Sequence, residues 1–131
     1  MIKRTFFIKI FQDGRQYPIL NVTTKQFEML YELGMYRLSK SIGVAEAIKN
    51  LWMVESGEKD LFELSAGDWC VVNVRKDTSI ISNNLDEFEP IEIQTSQIVI
   101  LMKDWLAFLL AYERGDIPGV IHPDKLEGLN S

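Results

Sequence analysis

Apolar and polar positions change period along this chain, and the longest periodic stretch lies near its end. From Thr95 to Gly115, Ile98, Leu101, Trp105, Phe108, Leu109 and Tyr112 recur at spacings of three and four. That spacing puts them on one face of an α-helix. Met102 and Leu106 widen the stripe, and Ser96 or Thr95 is positioned to cap its start. Gly115 and Pro118 mark its end. The face is broad enough to be the centre of the core. A membrane span is the competing reading for so apolar a segment. Lys103 and Asp104 interrupt the run, leaving pieces well short of the roughly twenty residues a span needs.

Upstream, the period shortens to two. Thr5 to Phe11 and Gln16 to Val22 are rich in β-formers and flank Asp13-Gly14, which predicts an N-terminal hairpin. Pro18 removes a ladder donor and so belongs at a sheet edge. Thr23-Thr24-Lys25-Gln26 matches a capping box, with Val22 and Phe27 as its staple. It predicts a helix carrying Phe27, Leu30, Tyr31, Leu33 and Leu38, in which Gly34 permits a close contact. After a break at Ser41-Ile42-Gly43, a second helix is expected from Val44 to about Trp52. Strands follow at Leu61–Leu64, Trp69–Arg75 and Pro90–Gln94, with a turn at Ala66-Gly67-Asp68. In Trp69–Arg75, Cys70, Val72 and Val74 point one way and Trp69, Val71, Asn73 and Arg75 the other. Lys76 to Asn84 reads as polar turns around Ile80 and Ile81. Trp52 and Trp69 are expected in the core or half-buried, with a place in an interface as the alternative.

These elements predict an α+β fold: a mainly antiparallel sheet with an N-terminal hairpin and about three helices packed on one face. At 131 residues, one domain over 1–131 is expected, with an irregular tail after about residue 116. A composition of 47% hydrophobic and 25% charged residues suits a globular chain able to bury a core. Cys70 is the only cysteine, so no internal disulfide can form, and its apolar strand makes it a buried small hydrophobe. The opening residues do not form a signal-peptide pattern, which points to a reducing, cytoplasmic setting.

Charge adds an asymmetry. Residues 1–40 carry seven Lys/Arg against Asp13, Glu28 and Glu32, a net of +4; residues 41–131 carry seven against sixteen Asp/Glu, a net of −9. So acidic a chain is a poor direct ligand for nucleic acid, which binds by neutralised phosphates. It suits a basic protein partner, where complementary charge speeds encounter.

Candidate chemistry is sparse. One His and one Cys, about fifty positions apart, make no metal-ligand spacing, and no phosphate-binding glycine loop occurs, so no metal or cofactor is expected. His122 has no partnered nucleophile. His122-Pro123-Asp124 spells the tripeptide of J-domain co-chaperones, but only seven residues follow, too few for that family's next helix. Asp86, Glu87, Glu89 and Glu92 are close in sequence, yet nothing near them predicts the desolvation that acid catalysis requires. They read instead as an acidic recognition patch with Phe88 as its apolar anchor, extended by Asp60 and Glu63.

The stretch IEIQTSQIVILMKDWLAFLLAYERGDIPG, with Trp105 and Phe108 mid-helix, then Tyr112-Glu113-Arg114-Gly115 and Ile117-Pro118-Gly119, resembles the C-terminal helix region of some small bacterial immunity proteins. These are cognate inhibitors of polymorphic and contact-dependent growth inhibition toxins. The resemblance covers about thirty residues and implies a cytoplasmic, non-enzymatic protein. Such a protein neutralises one toxin, often a basic nuclease, by one-to-one binding that occludes its active site. Two other classes fit the residues: a self-associating structural or adaptor subunit of open oligomeric state, and a small hydrolase using carboxylates.

Overall fold

A computed structural model describes residues 2–116. The hairpin forms as the alternation predicts. Strand β1 (Arg4–Ile10) pairs antiparallel with β2 (Gln16–Val22), Ile8 opposite Pro18. Gly14 takes the left-handed φ of +85° that the tight turn requires. These two strands form a sheet of their own. The second sheet is a four-stranded meander in the order β3 (Phe62–Ala66), β4 (Cys70–Val74), β5 (Thr78–Ser82), β6 (Ile91–Gln94). The fold is α+β, with two antiparallel sheets in place of the single sheet expected.

Between hairpin and meander the chain is helical, but its first part is not an α-helix. Lys25–Gly34 is a 3₁₀ helix, followed by a shorter one at Tyr36–Ser39. Two local causes explain this. The helix begins one residue later than the expected box at Thr23–Gln26 places it, after Thr24, whose hydroxyl accepts the Lys3 N–H at 2.7 Å and leaves the start without a side-chain cap. Phe27, Leu30 and Leu33 also repeat every three residues, which aligns them on one buried face when the helix has three residues per turn. A Cβ on Gly34 would lie 3.0 Å from that of Leu20 and 3.4 Å from the Trp105 ring, so the glycine permits the close contact expected of it.

Helix α1 spans Ser41–Glu55, starting three residues before the expected Val44. The break falls at Lys40, and Gly43 lies inside the first turn. The start is capped from elsewhere in the chain: Glu113 accepts the Ser41 N–H at 2.9 Å and its hydroxyl at 2.6 Å. A carboxylate there complements the partial positive charge of the helix N-terminus. Those bonds hold the Glu113 carboxyl below its usual range. Val44, Ala47, Leu51 and Val54 form the buried stripe. Trp52, expected in the core or half-buried, is 59% exposed, because one residue past Leu51 it is rotated about 100° from that stripe.

Helix α2 (Thr95–Glu113) is the centre of the core. Ile98, Leu101, Met102, Trp105 and Leu109 have no exposed surface. The Trp105 ring stacks on Phe108 and tilts against Phe6, and its indole N–H donates to the Leu38 carbonyl at 2.6 Å. The expected self-capping by Thr95 or Ser96 is absent. The Thr95 hydroxyl instead donates to the Arg75 carbonyl at 2.6 Å and lies 2.7 Å from that of Ser79, tying the helix to the meander. By length and composition alone α2 would pass for a membrane span, with a mean hydropathy of 1.2, so its charges do not disqualify it as expected. One of those charges, Asp104, pairs with Arg4 of the hairpin. A single apolar cluster runs from Ile2 through both sheets and helices to Leu109. The expected irregular tail, and His122 with it, lies outside the described residues beyond Asp116.

Candidate partner-binding surface

The meander has one dry face and one wet face. Strand register aligns Leu64, Val72, Ile81 and Ile91 in one row and Glu63, Asn73, Ile80 and Glu92 in the next. Adjacent rows point to opposite faces. The first row, with Cys70 and Val74, packs into the core; the second faces solvent, with Asn73 and Ile80 half-buried between two exposed glutamates. Antiparallel sheets commonly leave one face to water. The sequence motif that made Cys70 a buried hydrophobe is confirmed: burial, helped by the negative charge of Glu32, pushes its thiol up to about 12.

The expected acidic patch divides across this sheet. Glu63 and Glu92 lie on the two edge strands at opposite ends of one row, about 14 Å apart at three strand spacings. Asp60 precedes β3 and is exposed. Asp86, Glu87 and Glu89 occupy the loop between β5 and β6, all exposed. Phe88, expected as the patch's apolar anchor, is partly buried and packs against the core, so it holds the loop down.

Asn83 shapes that loop. It is 7% exposed, and its carbonyl oxygen accepts the N–H groups of Leu85 and Glu87 while its amide donates to the Glu87 carboxylate at 2.8 Å. This local bonding supports Asp86 at φ +53°, a conformation that Asp tolerates better than most residues. Asn84 then joins the loop to the β3–β4 turn: its N–H donates to the Asp68 carbonyl and its side-chain amide to the Asp68 carboxylate. The turn also carries Trp69, which is 50% exposed. Asp68, Asp86, Glu87 and Glu89 therefore share one end of the sheet with an exposed tryptophan.

Trp69, expected in the core or half-buried with an interface role as the alternative, is half-exposed and stands outside the residues read as the acidic patch. A signal existed: it is in phase with Val71, Asn73 and Arg75, and two polar residues on that side mark it as the wet face. The charge asymmetry also follows the elements. Residues 55–92, the meander and its connections, carry ten Asp/Glu against Lys59, Arg75 and Lys76, a net of −7. The hairpin and 3₁₀ segments hold the positive excess of residues 1–40.

No protein-family model matches the chain, and no characterised protein or solved structure is similar enough to match it. Among the described residues, no group of three or more His, Cys, Asp or Glu side chains is placed to hold a metal ion.

Proposed function

We propose that this protein is a non-catalytic binding protein that holds one basic protein partner against the acidic end of its meander. The observation that carries this reading is the half-exposed Trp69 among Asp68, Asp86, Glu87 and Glu89, in a segment of net charge −7. Aromatic side chains dominate interface hot spots, and a field of one sign steers an oppositely charged partner. In its finer form the proposal is a cytoplasmic immunity protein that neutralises a cognate bacterial toxin by occluding its active site. That form rests on the resemblance of the α2 region.

The test is affinity capture from the source cell's lysate at moderate salt, then titration of the chain with the captured partner. The expected result is one basic protein, bound one-to-one, whose toxicity co-expression suppresses. Trp69→Ala should weaken the complex about thirtyfold, the scale of a hot-spot residue. Reversing Asp86 and Glu89 to lysine should slow association, with an effect that shrinks as salt rises. Capture of only copies of the chain would instead favour a self-associating subunit. A partner whose affinity ignores all three positions would remove this surface.

A further inference from the structure

A concavity lies on the positive part of the molecule. The hairpin and the two 3₁₀ segments enclose a groove of about 460 Å³. Phe11 and Tyr17 of the hairpin stand on one side, and Tyr31, Met35 and Tyr36 of the 3₁₀ segments on the other. All five are between 39% and 66% exposed, and they are five of the twelve large hydrophobic residues exposed among the described residues. Tyrosine, phenylalanine and methionine are the residue types enriched where proteins meet.

Lys9 is the one charged residue in the groove lining. Its ammonium lies 4.9 Å from the centre of the Phe11 ring, and among the described residues it has no carboxylate partner. The nearby Glu32 carboxylate is engaged by the Tyr31 hydroxyl, so a cation beside aromatic rings with no carboxylate at ion-pair distance is most readily satisfied by an anion that the ligand brings. The surrounding residues 1–40 have a formal net charge of +4, which becomes +2 once the pairs of Arg4 with Asp104 and Arg37 with Glu46 are counted, an excess that favours an anionic ligand.

The backbone presents one of these rings at an unfavourable angle. Tyr36 sits at φ +55°, a left-handed conformation unusual for a bulky residue. Its carbonyl accepts the Ser39 hydroxyl at 2.6 Å, which helps to hold it there. The ring itself is 66% exposed, so core packing does not account for a tyrosine at this position. Strain retained without burial is a pointer to function.

We propose that this groove binds an extended peptide segment of a partner protein, in which proline or aliphatic residues lie on the tyrosines and a carboxylate pairs with Lys9. Aromatic-lined open grooves suit extended, proline-containing chains. The inference is independent of the binding role assigned to the meander, since it uses other residues and the opposite charge.

The experiment selects a display library of random short peptides on the full chain, with Lys9→Glu and Tyr36→Gly variants as controls. Enrichment of acidic peptides with proline or aliphatic neighbours is expected on the unmodified chain. Lys9→Glu should weaken the best peptide about tenfold, and that loss should vanish when the peptide's carboxylate is replaced by an amide. Tyr36→Gly should also weaken it while leaving the denaturation midpoint equal or higher, because glycine accepts the left-handed angle. That combination separates binding from folding. No enrichment, enrichment of basic peptides, or affinity unaffected by Lys9→Glu would overturn the proposal. A concentration-dependent dimer lost in Lys9→Glu would put a second copy there and overturn it equally.

Discussion

Removing the Trp105 side chain tests whether α2 organises the fold. The residue has no exposed surface, contacts the Phe6 and Phe108 rings, and satisfies the Leu38 carbonyl across 67 residues of sequence. Trp105→Ala removes the apolar contacts and leaves a cavity, a loss of about 3–5 kcal/mol. Trp105→Phe is more discriminating. It keeps an aromatic ring against Phe6 and Phe108 but removes the only part of the side chain that can donate. The Leu38 carbonyl then loses its partner in a dry site, at about 1–3 kcal/mol, and the smaller ring leaves a partial void. Together these give about 2–4 kcal/mol. Urea denaturation followed by far-ultraviolet circular dichroism measures both variants, with stability taken from the midpoint only where the slope is unchanged. A Trp105→Phe loss below about 1 kcal/mol would show that the bond to Leu38 contributes no more than an exposed one. A Trp105→Ala loss equally small would refute the placement of α2 at the centre of the core.

Gly43 offers a test in which helix propensity predicts the wrong sign. Alanine there would ordinarily add about 1 kcal/mol to α1, but its Cβ would fall 2.0 Å from the Arg37 carbonyl oxygen, so Gly43→Ala should lower the thermal midpoint; a rise would refute the packing of α1 against Tyr36–Ser39. Cys70 predicts an alkaline limit. Its thiol is raised from about 9 to about 12 when folded, so the neutral form is favoured in the native state. The associated stability is intact below pH 9 and is lost as pH rises towards 12, with a slope of about 1.4 kcal/mol per pH unit. Cys70→Ala should remove that share of the slope, and parallel pH profiles for the two proteins would contradict it.

Much of the architecture was legible because its signals are redundant. The hairpin combines β-rich flanks with Asp-Gly, and α2 carries a stripe wide enough to survive uncertainty at its ends. What was missed has weaker or competing local causes. Strand β5 is five residues long, with Ile80 and Ile81 the only apolar ones, so polar neighbours made it look like a turn; only its pairing with β4 and β6 reveals it. The 3₁₀ helix was concealed by a capping-box pattern at Thr23–Gln26, whereas the helix starts after Thr24, whose hydroxyl is engaged by the Lys3 N–H. Of the site, the acidic character was readable and its geometry was not. Asp86, Glu87, Glu89 and Glu92 are close in sequence, with Asp60 and Glu63 as an extension, but strand register sends Glu63 and Glu92 to opposite edges and Asn84 brings Asp68 and Trp69 to the loop. A one-dimensional charge run carries neither relation.

The cap on α1 has a consequence for synthesis. A ribosome makes Ser41 long before Glu113, yet the anion that satisfies the start of α1 comes from the last residue of α2. Two other ties have the same direction: Leu38 waits for Trp105, and Arg4 for Asp104. The hairpin, 3₁₀ segments and α1 are therefore made before the helix that covers their apolar faces and satisfies Ser41, the Leu38 carbonyl and Arg4. The core is thus completed by one late helix, and a chain interrupted before Trp105 is expected to expose the apolar faces of the earlier elements rather than to fold as a smaller unit.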